Sequence, residues 1–256
     1  MPISLKRNSL AEQAAEAIIE IIDDQQLRDG DPLPATADLA EMLDVSIPVI
    51  REAVAGLAAI GLLKRHQGRE STVSVPDSSH MARLLTLRVV GAEVEDERLQ
   101  QFREIVEVGN ARLAALHRTP DDLASMDAAM DQMRTVTTAE DLHAADVDFH
   151  AAMARATAND LCELTLEALE PVLWRLRRRV WSGWVAAGGS LDSIIDAHTI
   201  ILEAIRAGNA SDASQAMSNH LAQARAGLEA PLDKVARTRA QHLAPDPRMT
   251  ETLSAT

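Results

Sequence analysis

Asp146 and His150 stand four residues apart in the stretch ADVDFHAAM, and two further histidines, His198 and His220, lie in other stretches of helical apolar spacing. On a helix, residues four apart share a face, so the Asp146 carboxylate and the His150 imidazole reach a common point. Asp148 falls on another face and reads as solvated. His198 begins the stripe continued by Ile201, Leu202 and Ile205, and His220 lies amid Met217, Leu221 and Ala224. An ionisable group buried without a partner is costly, so these groups are either a satisfied structural pair or the surroundings of something charged. Three imidazoles and a carboxylate match the donor set of a divalent transition ion. Spacing leaves both alternatives open, because nothing local brings His198 and His220 to Asp146. His143 shares the face of Asp146 and His150 and reads as structural, while His66, His80, His117 and His242 read as surface or wing positions.

A bound metal would be able to make water nucleophilic. No general-base motif, activated serine or cysteine arrangement, or phosphate-cradling glycine loop accompanies these residues. Binding, not catalysis, is therefore the expected role.

The chain has 256 residues and is 46% hydrophobic, which suits one large domain or two of ordinary size around a real core. No apolar run approaches the ~18 residues that cross a bilayer, and MPISLKRNSLAEQ lacks the apolar centre of a signal peptide, so the expected place is the cytoplasm, without a membrane partner. Cys162, the single cysteine, permits no internal disulfide and reads as a small core residue. Abundant alanine, leucine, glutamate and arginine with no tyrosine favour helices. A net charge of -14 weighs against a nucleic-acid partner, although local placement of a few arginines matters more than the total.

From Ser9 to about Gln26, Leu10, Ala14, Ala17, Ile18, Ile21 and Ile22 recur at helical spacing until LRDGDPLP breaks the pattern. TADLAEMLD predicts a short helix with Thr36 as N-cap. In the next segment Ser46 caps, Pro48 occupies the first turn, and Val49, Ala53, Leu57 and Ile60 form the apolar stripe. LLKRH and STVSV, joined by QGRE, predict a hairpin. Three helices and a hairpin are the layout of a winged helix-turn-helix. Beyond VPDSSH, helices are predicted near 78–90, 95–118, 121–135, 139–157, 159–184, 189–207 and 210–228, separated at Thr119-Pro120-Asp121, Asn159, Gly188-Gly189 and Gly208-Asn209. The tail from about Asp233 reads as a frayed extension.

The ordered set Gly30, Leu33-Pro34, Leu39-Ala40, Val45-Ser46, Arg51-Glu52-Ala53, Leu57, Gly61-Leu62 and the hairpin resembles, over residues 9–75, the DNA-binding domain of the GntR family of bacterial transcription regulators. QFREIVEVGNARLAA, DVDFHAAMARATAND, DAHTIILEAIRAGNASDASQAM and SNHLAQA resemble blocks of the helical effector domain of its FadR subfamily, called FCD. The resemblance implies a mainly α protein: an N-terminal winged helix-turn-helix in residues 1–76, an all-helical bundle effector domain in residues 77–232, and an extension in residues 233–256. It implies a transcription regulator that binds double-stranded operator DNA as a homodimer and answers to a small carboxylic acid. The FCD metal motif, one Asp and three His, falls on Asp146, His150, His198 and His220. That implies a divalent transition metal, zinc foremost, with nickel, cobalt or manganese as alternatives. The arginine that often serves the effector falls on Arg103; the alternative there is a surface pair with Glu107 worth ~0.3 kcal/mol. WRLRRRVW reads as a solvated face with one arginine turned toward the effector pocket or a partner helix, its tryptophans as core or dimer contacts.

At the DNA end the resemblance implies a recognition helix from Ser46 to about Ala58, with Ser46, Ile47, Pro48, Val49, Ile50 and Arg51 in its first turn. Ser46 suits a phosphate, Pro48 shapes the helix start, and Ile47 suits a thymine methyl. Arg51 is the residue able to hold guanine bidentately, and Lys64, Arg65 and Arg69 suit phosphates beside the wing. This sequence departs from the family in having Ala37 and Ile47 where arginines are usual and Glu70 where a wing glycine is. Residues 1–76 hold seven basic against twelve acidic side chains, a net of -5. Two functions follow: an effector-controlled DNA binder, or a metal-dependent sensor or scaffold whose DNA binding is weakened.

Overall fold

The computed structural model describes residues 9–136 and 139–229. The expected C-terminal extension, His242, and the charges of Lys6 and Arg7 lie outside the described residues. The chain divides between Met81 and Ala82 into two compact units, each built on its own core.

The first unit runs α1 (Leu10–Asp24), α2 (Thr36–Met42), α3 (Ile47–Ala59), β1 (Leu63–Lys64) and β2 (Thr72–Val73). A capping box starts α1: the Ser9 hydroxyl accepts from the Glu12 amide while the Glu12 carboxylate accepts from the Ser9 amide. The strands pair antiparallel, Leu63 opposite Val73 and Lys64 opposite Thr72. The segment before α2 adds a third edge, with the Gly30 amide donating to the Val73 carbonyl and the Leu33 amide to that of Ser71. Ile18, Leu33, Leu39, Ile50, Leu57 and Leu63 close the core between helices and hairpin.

Three local expectations are corrected here. Thr36 is the first residue of α2; Ala35 occupies the cap position and lends no side chain. The buried stripe of α3 is Ile50, Ala53, Val54 and Leu57, while Ile60 is 47% exposed. Periodicity admits stripes rotated by one position, and packing against α1 and α2 selects this one. Leu10, expected inside, is exposed, with Ala11 buried in its place.

The second unit is helical: α5 (Asp96–His117), α6 (Pro120–Thr135), α7 (Ala139–Arg155), α8 (Asp160–Ala186), α9 (Leu191–Arg206) and α10 (Ala210–Glu229). Helix α4 (Ser78–Gly91) crosses the division. The expected punctuation is present: Thr119 forms a capping box with Asp122, the Asn159 side chain caps α8, and Gly188 and Gly208 take positive φ after α8 and α9. Alanine and methionine dominate the core of α5, α6, α7, α9 and α10, including Ala111, Ala114, Met126, Met130, Met133, Met153 and Met217. Small residues let the helix axes approach closely, and unbranched methionine fills the irregular gaps between them. Cys162, expected in the core, is partly exposed in the first turn of α8.

Helix α10 lies against α5, α8 and α9. At Gly227 the approach is close enough that an added Cβ would stand 2.4 Å from the carbonyl oxygen of Val180 on α8. Gly227→Ala is therefore expected to force the two helices apart. The overpacking cost of about 1–3 kcal/mol exceeds the gain of roughly 1 kcal/mol in helix propensity, and a lowered thermal unfolding midpoint checks it.

Candidate metal centre

The buried face of α5 repeats every three or four residues as Leu99, Arg103, Glu107, Ala111 and Ala114, so apolar periodicity carries a charged pair inward. Helix α7 brings Asp146 and His150 beside it, α9 brings His198, α10 brings His220, and α8 brings Arg177. All four expected metal ligands meet: one donor atom from each of Asp146, His150, His198 and His220 lies within 4.8 Å of every other. The three rings are buried, and Asp146 keeps 14% of its side chain exposed.

The ring nitrogens are sorted by their neighbours. Nδ1 of His198 lies 2.8 Å from the Ile194 carbonyl oxygen, which only accepts, so Nδ1 carries the proton and Nε2 presents a lone pair. That lone pair faces Oδ1 of Asp146 at 3.1 Å. Two acceptors at this separation require a cation between them, a proton or a metal ion. His150 directs Nδ1 at Oε2 of Glu107, turning Nε2 toward Oδ1 of Asp146 at 3.7 Å. A carboxylate behind an imidazole in this manner orients the ring and strengthens it as a ligand. Neither nitrogen of His220 has a hydrogen-bond partner, nor does Nε2 of His198. Buried polar atoms are normally paired, and these nitrogens are placed where one shared metal ion would pair them together.

Protonation follows the same geometry. Burial raises the Asp146 carboxyl, but the neighbouring His150 and His198 outweigh it and hold the acid well below its usual range. Burial also opposes ionisation of Glu107, yet Arg103, His150 and Arg177 keep it a carboxylate. Burial, reinforced by His198 and His150, pushes His220 well down, leaving a neutral imidazole able to coordinate. His143 is pushed to about 4, chiefly by burial and against the pull of Asp146. It packs edge-on against Trp174, with ring centroids 4.0 Å apart.

Arg103 is buried, its Nε 2.5 Å from Oε1 of Glu107, so the alternative of a surface pair is corrected: both side chains sit inside the bundle. Of the arginines in WRLRRRVW, Arg177 turns inward. It pairs with Glu170 and places Nε 3.4 Å from Oδ2 of Asp146 and Nη2 3.6 Å from Oε1 of Glu107. Glu107 and Glu170 were not singled out from sequence as site residues. Their signal was an acid repeated in register with an apolar stripe, which by itself does not distinguish a buried pair from a solvated one. Asp148 is exposed, as its helix position predicts. A cavity of about 60 Å³ opens beside the centre, lined by Arg103, Asp146, Arg177 and His220 together with His143 and an apolar wall. Trp174 is buried and Trp181 packs against the core, as expected, and Trp181 and Trp184 also belong to the cavity wall.

In the first unit Ser46, Ile47, Pro48 and Arg51 are exposed at the start of α3, with Ile47 41% exposed. Ser46 holds the cap position, but its hydroxyl makes no capping bond and stays available to an outside acceptor. Ile50 is wholly buried and cannot reach a base, unlike its neighbours in that turn. Lys64, Arg65 and Arg69 are exposed on the hairpin, and Ala37 and Glu70 are exposed as well.

Comparison with known proteins matches residues 98–223 to the FCD domain and residues 10–73 to the bacterial regulatory proteins of the gntR family. The chain is 29% identical over 203 residues to the HTH-type transcriptional regulator LutR of Bacillus subtilis (strain 168), covering 78% of this chain and 93% of that protein. It is 30% identical over 199 residues to the Uxu operon regulator of Haemophilus influenzae, covering 75% of this chain and 71% of that protein. Among solved structures, Streptococcus agalactiae GntR matches with a TM-score of 0.61 and 25% identity over 84% of this chain and 98% of that one.

The contact between Glu107 and His150 makes Glu107→Gln a direct test of the centre. The substitution keeps the shape but removes the charge behind the ring. Zinc affinity, measured by competition with a chromophoric chelator, is expected to fall about 10–100-fold.

Proposed function

The chain belongs to the GntR family of bacterial regulatory proteins and carries an FCD domain, and on that premise we propose that a small carboxylic acid, bound at a metal held by Asp146, His150, His198 and His220, controls its grip on operator DNA. It is a DNA-binding transcription regulator, not an enzyme. The observation that carries the effector reading is the convergence of four donor atoms from three helices, with both nitrogens of His220 and Nε2 of His198 lacking a hydrogen-bond partner.

The donor set suits zinc first, with nickel, cobalt or manganese as alternatives. When bound, such an ion supplies a Lewis-acid contact for one oxygen of a ligand carboxylate. The remaining work falls to the protein's own groups. Glu107 and the Ile194 carbonyl hold the His150 and His198 rings in their ligating orientation. Arg103 and Arg177, both lining the cavity, offer guanidinium donors to an acid, and the apolar wall excludes water so that these contacts strengthen.

At the other end, Ser46, Ile47, Pro48 and Arg51 form the groove-reading edge, with Lys64, Arg65 and Arg69 on neighbouring phosphates. A two-fold operator requires two recognition helices, and so a homodimer. Leu84, Leu87 and Ile105, exposed on α4 and α5, supply apolar surface for a second copy. The acid shifts the dimer between arrangements with different wing spacing, which requires that it bind one arrangement more tightly than the other. In the described residues no helix is long and apolar enough to cross a membrane, in keeping with a cytoplasmic regulator. A second reading, a metal-dependent sensor with weakened DNA binding, is favoured by one observation: Ile47, Ala37 and Glu70 stand exposed where the family carries arginines and glycine.

Arg51→Ala separates the two readings. A working reader loses roughly 1–3 kcal/mol of operator discrimination in fluorescence anisotropy, whereas the weakened sensor binds DNA equally poorly before and after. For the zinc-loaded protein, an effector acid changes operator affinity by about 5–150-fold. His198→Ala should abolish both stoichiometric zinc, read by elemental mass spectrometry, and that response. Full response in the zinc-free variant would refute the metal's part.

A further inference from the structure

Five ionisable side chains surround the centre in direct contact with one another: Arg103, Glu107, Asp146, Glu170 and Arg177. Arg103, Glu107 and Arg177 are buried, and Asp146 and Glu170 nearly so. Further out on the same helices, Arg225 pairs with Glu104 and Arg179 with Asp96 at the rim. Each carboxylate touches a guanidinium, Glu170 through Arg177, and by formal charge two guanidiniums against three carboxylates give the network one negative charge. His150, His198 and His220 add none when they coordinate, because an imidazole ligates a metal as a neutral ring. A divalent ion on the four ligands turns that single negative charge into a single positive one.

A net charge left in a buried site is costly, and the charge of the ligand that enters decides whether it is cancelled. The remaining wall offers no second cation: Leu142, Val180, Trp181, Trp184, Ile194 and Ala224 form its apolar part. We infer that this site selects an acid bearing one carboxylate, and rejects dicarboxylic acids. The inference rests on the metal reading above and adds to it the charge of the ligand. A second carboxylate would lie against tryptophan and isoleucine without a counter-ion.

Isothermal titration of the zinc-loaded full-length protein with pentanoate, pentanedioate and pentanol compares charges of minus one, minus two and zero on one carbon chain. Pentanoate is expected to bind, with pentanedioate and pentanol each weaker by about tenfold or more. Glu170→Gln adds one positive charge to the network without changing its shape, and should narrow or reverse the preference over pentanedioate. Gln223→Lys, on the cavity wall, makes the same addition without touching the buried pairs and serves if Glu170→Gln does not fold. Equal or tighter binding of pentanedioate to the unaltered protein overturns the charge inference while leaving the metal centre standing. So does a preference unchanged in a folded variant, because size alone would then explain it. Failure of both acids to bind overturns it too. Loss of zinc at one per chain in elemental analysis removes the metal reading and this inference with it.

Discussion

The helical unit is organised around one constraint: charges taken out of water must find opposite charges or a metal. Glu107 is the pivot, wholly buried, touching Arg103 on its own helix, Arg177 on α8 and His150 on α7. His150 and Arg177 lead on to Asp146, which faces His198 on α9 beside His220 on α10. Five helices are thereby tied to one point. Bulk stability comes from the alanine and methionine core, whose contacts are non-directional and tolerate sliding. The charged cluster does not tolerate it: a shift of one helical turn would strand a buried carboxylate, at a cost of several kcal/mol. The cluster thus sets the register of helices that the core merely holds together.

The first unit solves a different problem. Its net negative charge repels a polyanion, yet its few cations are not spread evenly. Arg51 stands on the exposed start of α3, and Lys64, Arg65 and Arg69 stand on the hairpin, while Arg28 lies in the loop after α1. Screening at physiological salt limits each distant acid to roughly a Debye length of about 8 Å, so local placement counts for more than the sum. Ile47 and Ile50 illustrate the division of labour in a single turn. The first projects outward where a base methyl would be met, and the second fills the core.

Much of the architecture was legible in the residues. Helix boundaries in the second unit fell within about two residues of their observed positions, because Thr119, Asn159, Gly188 and Gly208 act through local backbone chemistry. Asp146 and His150 were legible as a pair for the same reason, since four residues on a helix is a local distance. The caps at Thr36 and Ser46 were less so: the first position lay one residue early, and the second kept its backbone role without its side-chain bond. The stripe of α3 was off by a small rotation, because periodicity gives an angle only to within the width of a side chain.

By itself, then, the sequence determined what each segment does along its own axis: where helices begin and end, which faces are apolar, and which side chains lie four apart. Tertiary structure decided what those faces meet. His198 and His220 are separated from Asp146 by dozens of residues, and no local rule carries an imidazole across that span. The same holds for Arg103 and Glu107, which have identical spacing whether exposed or enclosed; only the packing of α7, α8 and α10 over α5 turned a weak surface pair into a buried charge network. The physical reason is that electrostatic strength depends on the surrounding dielectric, and a residue's surroundings are a property of the fold as a whole.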